Sequence, residues 1–288
     1  MAQVMAQPVQ KIKQLLKDSE FIPLNSYIGK PQKSNVNFGW ETLRTIVGDY
    51  QEGIIKIEEK LPANDGTGGN IVNHYRVFLL ADNYKIFYFK FIKTTYKYKG
   101  SEQLEKNDET IDSFKDNTAY SLFENSFRQT FGDTLNHGDL FLTDIVYGSH
   151  CGLGGVNPEF MEQLNLLLLD ENVDVIRHWL KSANAEKQLY AIYGYRILVN
   201  QGYNLTDEEK RIISIVEQKK GTVYTCMGCL YSDETFQHVV SSINSMPTEY
   251  LEPEKSVLKF LYWLGSILGI VYVLAILYLV RWKKKGGV

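Results

Sequence analysis

Tyr75 to Leu80 reads YRVFLL, Ala81-Asp82-Asn83 follows, and Tyr84 to Ile92 reads YKIFYFKFI. Two runs rich in β-branched and aromatic residues around a three-residue link predict a β-hairpin, with Asn83 suited to a left-handed turn position. Alternation puts Phe87, Phe89 and Phe91 on one face of the second strand and Tyr84, Ile86, Tyr88 and Ile92 on the other. A strand apolar on both faces needs cover on both, so the hairpin belongs at the centre of a sheet or beneath a helix. Outward from it, LRTIV (43–47) and GIIKIEE (53–59) are further strands divided by Gly48-Asp49. Lys93, Lys97 and Lys99 alternate with Thr94, Tyr96 and Tyr98, as in a strand running from the core into solvent. Upstream, Val9, Ile12, Leu15 and Leu16 mark a helix over 8–17, and the stretch with Gly29, Pro31, Ser34 and Asn35 is expected to be a loop. The glycine-rich run 64–70 has neither a Gly-Lys-Ser/Thr ending nor a dinucleotide fingerprint, which makes it a connection and not a phosphate cradle.

Beyond the strands the periodicity turns helical. Ile111, Phe114, Thr118, Leu122, Phe123 and Phe127 predict one helix over 109–131, ended by Gly132. An irregular Gly/His/Cys loop over 136–156 separates this 8–135 α+β region from a helical subdomain over 157–250. Four helices are expected there, one opening at Asn157-Pro158, one on Val173, Ile176 and Leu180, one after Asn184, and one behind the capping box Thr206 to Glu209. Helical hairpins of this kind, above all WLKSANAEKQLYAIYGYRILVNQG (179–202), loosely resemble a short HEAT-like or tetratricopeptide-like array. No fixed period repeats three times, so a compact helical subdomain packed on the sheet is the competing arrangement.

Phe260 to Val280, FLYWLGSILGIVYVLAILYLV, is 21 residues without a charge, the length of one transmembrane helix. The expected fold class is therefore α+β, a small antiparallel sheet and a C-terminal antiparallel helical subdomain, followed by a linker (251–259), that helix (260–280) and a basic tail (281–288). Gly265 and Gly269 form a Gly-x-x-x-Gly pair on which two such helices would pack into a homodimer. The chain of 288 residues has 31 basic and 34 acidic side chains. Five of the basic ones (Lys259, Arg281, Lys283, Lys284, Lys285) and none of the acidic ones lie beyond Val257, leaving 26 against 34 in the body. Positive charge behind the helix places the tail in the cytoplasm and the body outside it, with residues 1–7 as the remnant of a signal peptide. A tail-anchored protein with a cytosolic body is the alternative. An acidic body lacks the basic field that holds a phosphate backbone, which excludes nucleic acid as the expected partner.

The chemistry-bearing residues are few. Cys226-Met227-Gly228-Cys229 has the spacing for a disulfide between Cys226 and Cys229, or between one of them and Cys151. A structural zinc is the alternative, with Cys226, Cys229 and Cys151 joined by His150 or His238; no other cofactor is implied. A thiol enzyme built on the 136–155 loop would use Cys151 with a histidine, His150 being adjacent and His74, His137 and His238 further away, and Asp139 and Asp144 as nearby carboxylates. Gly148, Gly152, Gly154 and Gly155 around Cys151 imply a tight backbone. Two functions are thus expected: a single-pass membrane-anchored interaction or assembly module with a protein partner, or a membrane-anchored hydrolase or thiol-dependent enzyme.

Overall fold

In the computed structural model, which describes residues 5–30, 35–62, 70–99 and 103–247, the predicted hairpin is the middle of a five-stranded antiparallel meander. Strands β1 (Val36–Val47), β2 (Tyr50–Pro62), β3 (Asn70–Ala81), β4 (Ile86–Lys99) and β5 (Gln103–Lys115) lie side by side in chain order. The turn between β3 and β4 is held by Asp82, whose carboxylate accepts the amides of Tyr84 and Lys85 at 2.7 and 2.6 Å. Asn83 has no positive φ, so the expected left-handed turn is corrected. Alternation along β4 also breaks once. Ile86 pairs with Ala81 and Tyr88 with Leu80, which leaves Phe87 as the extra residue of a bulge. Its ring joins the core on one face of the sheet, while Ile86, Phe89 and Phe91 join the core on the other.

Helices α1 (Gln7–Lys17) and α2 (Phe21–Ile28) cover the latter face, packing Val9, Ile12, Leu16 and Leu24 against Ile55, Ile57, Val77 and Leu79. Burial of these apolar side chains is the main force that fixes the helices to the sheet. α2 and the start of β1 flank the stretch from Gly29 to Asn35 and are elements that the sequence did not announce. The eight residues of α2 hold only Phe21, Leu24 and Ile28 at helical spacing, too short a run for its period to stand out.

The opposite face is covered by α3 (Asn117–Phe131) and by the C-terminal half of the described chain. The single helix expected over 109–131 is two elements. Through Lys115 the chain is β5, and Asp116 then caps α3 by accepting the amides of Thr118 and Ala119 at 3.0 and 3.1 Å. Ile111 and Phe114 happen to stand three apart just ahead of the true helical positions Tyr120, Phe123, Phe127 and Phe131, which explains the misread period.

Helices α4 (Glu159–Leu169), α5 (Val173–Leu180), α6 (Ala185–Asn200) and α7 (Asp207–Glu217) occupy the predicted stretches. They do not stack as repeats. Leu189, Tyr190, Ile192, Tyr195 and Ile197 of α6 are all buried, and helices surround it, whereas a repeat helix keeps one face in solvent. The HEAT-like expectation is corrected accordingly. The capping box is present, and its Glu209 also accepts Tyr195 Oη and Arg177 Nε at 2.9 and 3.0 Å. Burial alone raises this carboxyl, but the Thr206 amide and the Tyr195, Thr206 and Arg177 side chains outweigh it and bring it down to about 2.

A second sheet joins β6 (Tyr147–Cys151), β7 (Thr222–Gly228) and β8 (Leu230–Thr235), with α8 (Phe236–Ser245) behind it. β6 runs parallel to β7, and β8 antiparallel to it. The fold is thus α+β with a five-stranded and a three-stranded sheet. Among the described residues no helix is long and apolar enough to cross a membrane. The expected single-pass anchor, the membrane partnership, dimerisation through Gly265 and Gly269, and the topology of body and tail therefore find no support among the described residues. The stretches 251–259, 260–280 and 281–288, with both glycines, lie outside the described residues, as do 1–4 of the expected signal remnant and 64–69 of the glycine-rich run.

Candidate functional site

The two edges of the large sheet are treated differently. β5, at one edge, carries Lys106, Asp108, Glu109, Asp112 and Lys115, charges that discourage a further strand. β1, at the other, begins with Val36-Asn37-Phe38-Gly39-Trp40, which has no charge at all. Asn35 O accepts the amide of Lys60 at 2.9 Å, so by alternation Asn37 and Gly39 turn their backbone groups to β2 while Phe38 and Trp40 turn theirs outward. After a bulge at Glu41 the outward positions are Leu43 and Thr45, and these are already occupied. Thr45 N donates to Lys220 O at 2.9 Å, and Gly221 bridges Arg44. A Cβ on Gly221 would lie 2.4 Å from Leu43 O and from Arg44 Cα, so only glycine permits this approach. From there β7 diverges from β1 and opens a cleft of about 570 Å³. Residues 37–42 line it without interruption, and Tyr224, Asp233 and Thr143 face them from the small sheet and the loop before it.

The floor of the cleft is a buried ionic network. Arg44 Nε donates to Glu52 at 2.6 Å, its Nη1 donates to both Glu186 oxygens at 2.7 Å, and its Nη2 reaches Leu142 O at 3.3 Å. Glu52 also accepts the amide of Phe141, and Glu186 that of Tyr224, at 2.7 and 3.1 Å. One guanidinium therefore ties both sheets and α6 together. Beside it lies Lys219, whose Nζ donates to Gln188 Oε1 at 2.7 Å. Burial first, and then the Arg44 charge, lower this ammonium to about 7 against the partial support of Glu52.

Lys219 has a measurable consequence for stability. Its folded-state value lies below the unfolded lysine value of about 10.4, so between the two the unfolded chain binds more protons. Stability is expected to rise as pH increases from about 7 toward 10, and Lys219→Met should remove that rise. Urea midpoints of the two proteins at pH 7, 8 and 9 check it; parallel curves would refute the assignment.

Of the residues singled out in the sequence, Cys151 and Cys226 are joined in a disulfide with Cα atoms 5.7 Å apart, and Cys229 is free and exposed at the β7–β8 turn. The expected disulfide is thus present in its alternative form, Cys226 with Cys151, and the Cys226–Cys229 pairing is corrected. The hairpin geometry explains why: Met227 pairs with Leu230 and Cys226 with Tyr231, while Gly148 of β6 sits so close to Cys226 that a Cβ there would lie 2.2 Å from Cys226 O. A thiol nucleophile at Cys151 is removed by the same bond. His150 is exposed with a φ of 54°, and His238 is exposed on α8. No group of three or more His, Cys, Asp or Glu among the described residues is placed to hold a metal, so the zinc set of Cys226, Cys229, Cys151 and His238 is not assembled. Asp139 is buried and structural, accepting Ser182 Oγ at 2.7 Å and Lys187 Nζ at 2.6 Å. His137 stacks on Tyr120 and shares a 2.9 Å hydrogen bond with its hydroxyl.

No family model, curated protein or solved structure matches the chain. The residues of the site, Phe38, Trp40, Glu41, Arg44, Glu186 and Tyr224, were not singled out in the sequence. The one signal that points to them is the uncharged start of β1 set against the charged β5, and it becomes visible only once both strands are known to be edges.

Proposed function

We propose that the chain is a peptide-binding domain that takes an extended segment of another polypeptide as an added strand on β1. The observation that carries this reading is the uninterrupted lining of the cleft by residues 37–42 of an edge strand whose outward backbone groups at Phe38 and Trp40 have no partner among the described residues. Strand addition uses these groups directly, and alternate side chains of the guest then enter the cleft or turn away from it. The ionic floor at Arg44 fixes β1 relative to β7 and so favours a preformed slot, which lowers the ordering cost of binding.

The test uses peptides selected from a random phage-displayed library against the full chain. Strand addition makes every second guest amide a donor to β1. N-methylation of a bound peptide should therefore weaken it by about tenfold at alternate positions and little at those between, since one lost hydrogen bond with the attendant crowding is worth roughly 1.4 kcal/mol. Amide exchange at Phe38 and Trp40 should slow in the complex. Uniform sensitivity along the peptide, or protection confined to other elements, would overturn the reading.

A further inference from the structure

We infer that the guest strand carries a lysine or arginine side chain into the cleft, where Glu41 and Asp233 receive it; this rests on the peptide-binding reading above. The cleft contains charges of both signs, and their pairing decides which remain available. Arg44 is consumed by Glu52 and Glu186, Lys56 pairs with Glu58 at 3.2 Å, and Arg76 Nη2 donates to Glu41 Oε1 at 2.6 Å. Each of the three cations lining the cleft is thus engaged. The acids are not. Asp233 has no ion pair among the described residues, and Glu41 Oε2 is buried without a hydrogen-bond donor.

A buried carboxylate oxygen without a donor is costly, so a turn of the Glu41 carboxylate toward the cleft would gain a hydrogen bond from an incoming ammonium or guanidinium. Glu41 stands at the bulge of β1, immediately after the outward amides of Phe38 and Trp40, so a donor offered there comes from a strand already paired to the edge. Across the slot the exposed ring of Tyr224, stacked on Tyr231 at 5.9 Å between centroids, offers a face for the aliphatic stem of a lysine or the plane of an arginine. An acidic guest side chain would meet Glu41 and Asp233 with no free cation among the described lining residues. The chain thus selects against acidic segments as well as for basic ones.

The experiment measures fluorescence anisotropy of the full chain with three labelled peptides of alternating threonine and valine that differ only at the central residue, which is lysine, norleucine or glutamate. The lysine peptide should bind about tenfold more tightly than the norleucine peptide, with glutamate weaker than both, and the preference should shrink as salt is raised. Asp233→Asn, on the exposed strand β8, should narrow the ratio of lysine to norleucine affinity, and Glu41→Gln should do the same. Equal binding of all three peptides, or tightest binding of the glutamate peptide, would overturn the inference while leaving strand addition intact. Absence of binding by any of the three, together with failure of the library selection, would overturn the peptide-binding reading and this inference with it.

Discussion

Arg44→Met is expected to destabilise the protein by about 3–5 kcal/mol, the cost of leaving buried charges without their partner. The guanidinium lies among Glu52 and Glu186, both essentially inaccessible to solvent, and is their shared donor. Removing it leaves two carboxylates facing each other beneath the cleft. Attraction among the three groups need not exceed what their burial costs, so replacing all three with apolar residues of similar size should recover most of the loss. Urea unfolding of the single variant and of Arg44→Met/Glu52→Leu/Glu186→Leu distinguishes these effects. A single-variant cost under about 1 kcal/mol would mean that water reaches the network and that it does not clamp the two sheets. The single variant carries a second expectation: with the Arg44 charge gone and Glu52 kept, Lys219 retains more of its basicity, and the alkaline rise in stability shifts to higher pH.

Cys226→Ser should cost roughly 4 kcal/mol, because the bond to Cys151 spans 75 positions of sequence and loop-closure entropy grows with that span. A Cys226–Cys229 bond would close a far shorter loop and contribute much less. Cys229→Ser, at an exposed turn, is expected to change stability little. Disulfide mapping by mass spectrometry after thiol blocking, combined with unfolding of the three proteins, checks both points. A Cys226–Cys229 crosslink as the dominant species, or equal effects of Cys226→Ser and Cys229→Ser, would contradict the structure.

Elements whose period runs for several turns were legible from the sequence alone. α6 and α7 follow Asn184 and the Thr206 box as expected, and the β3–β4 hairpin follows its aromatic alternation. What failed was whatever depends on contacts made far along the chain. Phe87 changes face because of one bulge, which no alternation rule anticipates. The strand read over 43–47 starts seven residues earlier, at Val36, because β2 pairs with Asn37 and Gly39, which alone favour no strand. Cys151 and Cys226 meet because β6 and β7 lie parallel, a juxtaposition that the four intervening helices hide from any reading of local spacing. The cleft was invisible for the same reason: Arg44, Glu186 and Tyr224 come from three distant segments and share no motif.

Gly221, seated on Leu43 and Arg44, puts a fixed stop on β1. Upstream of that contact, residues 37–42 are open, and at about 3.3 Å per residue they offer roughly 20 Å of edge. Downstream, Lys220 and Gly221 already hold the strand. A strand added along this edge, as proposed, must turn away at that fixed point, so the contact sets where pairing ends. The stop cannot be shifted by substitution at 221, since any side chain there would collide with the backbone of the strand it terminates.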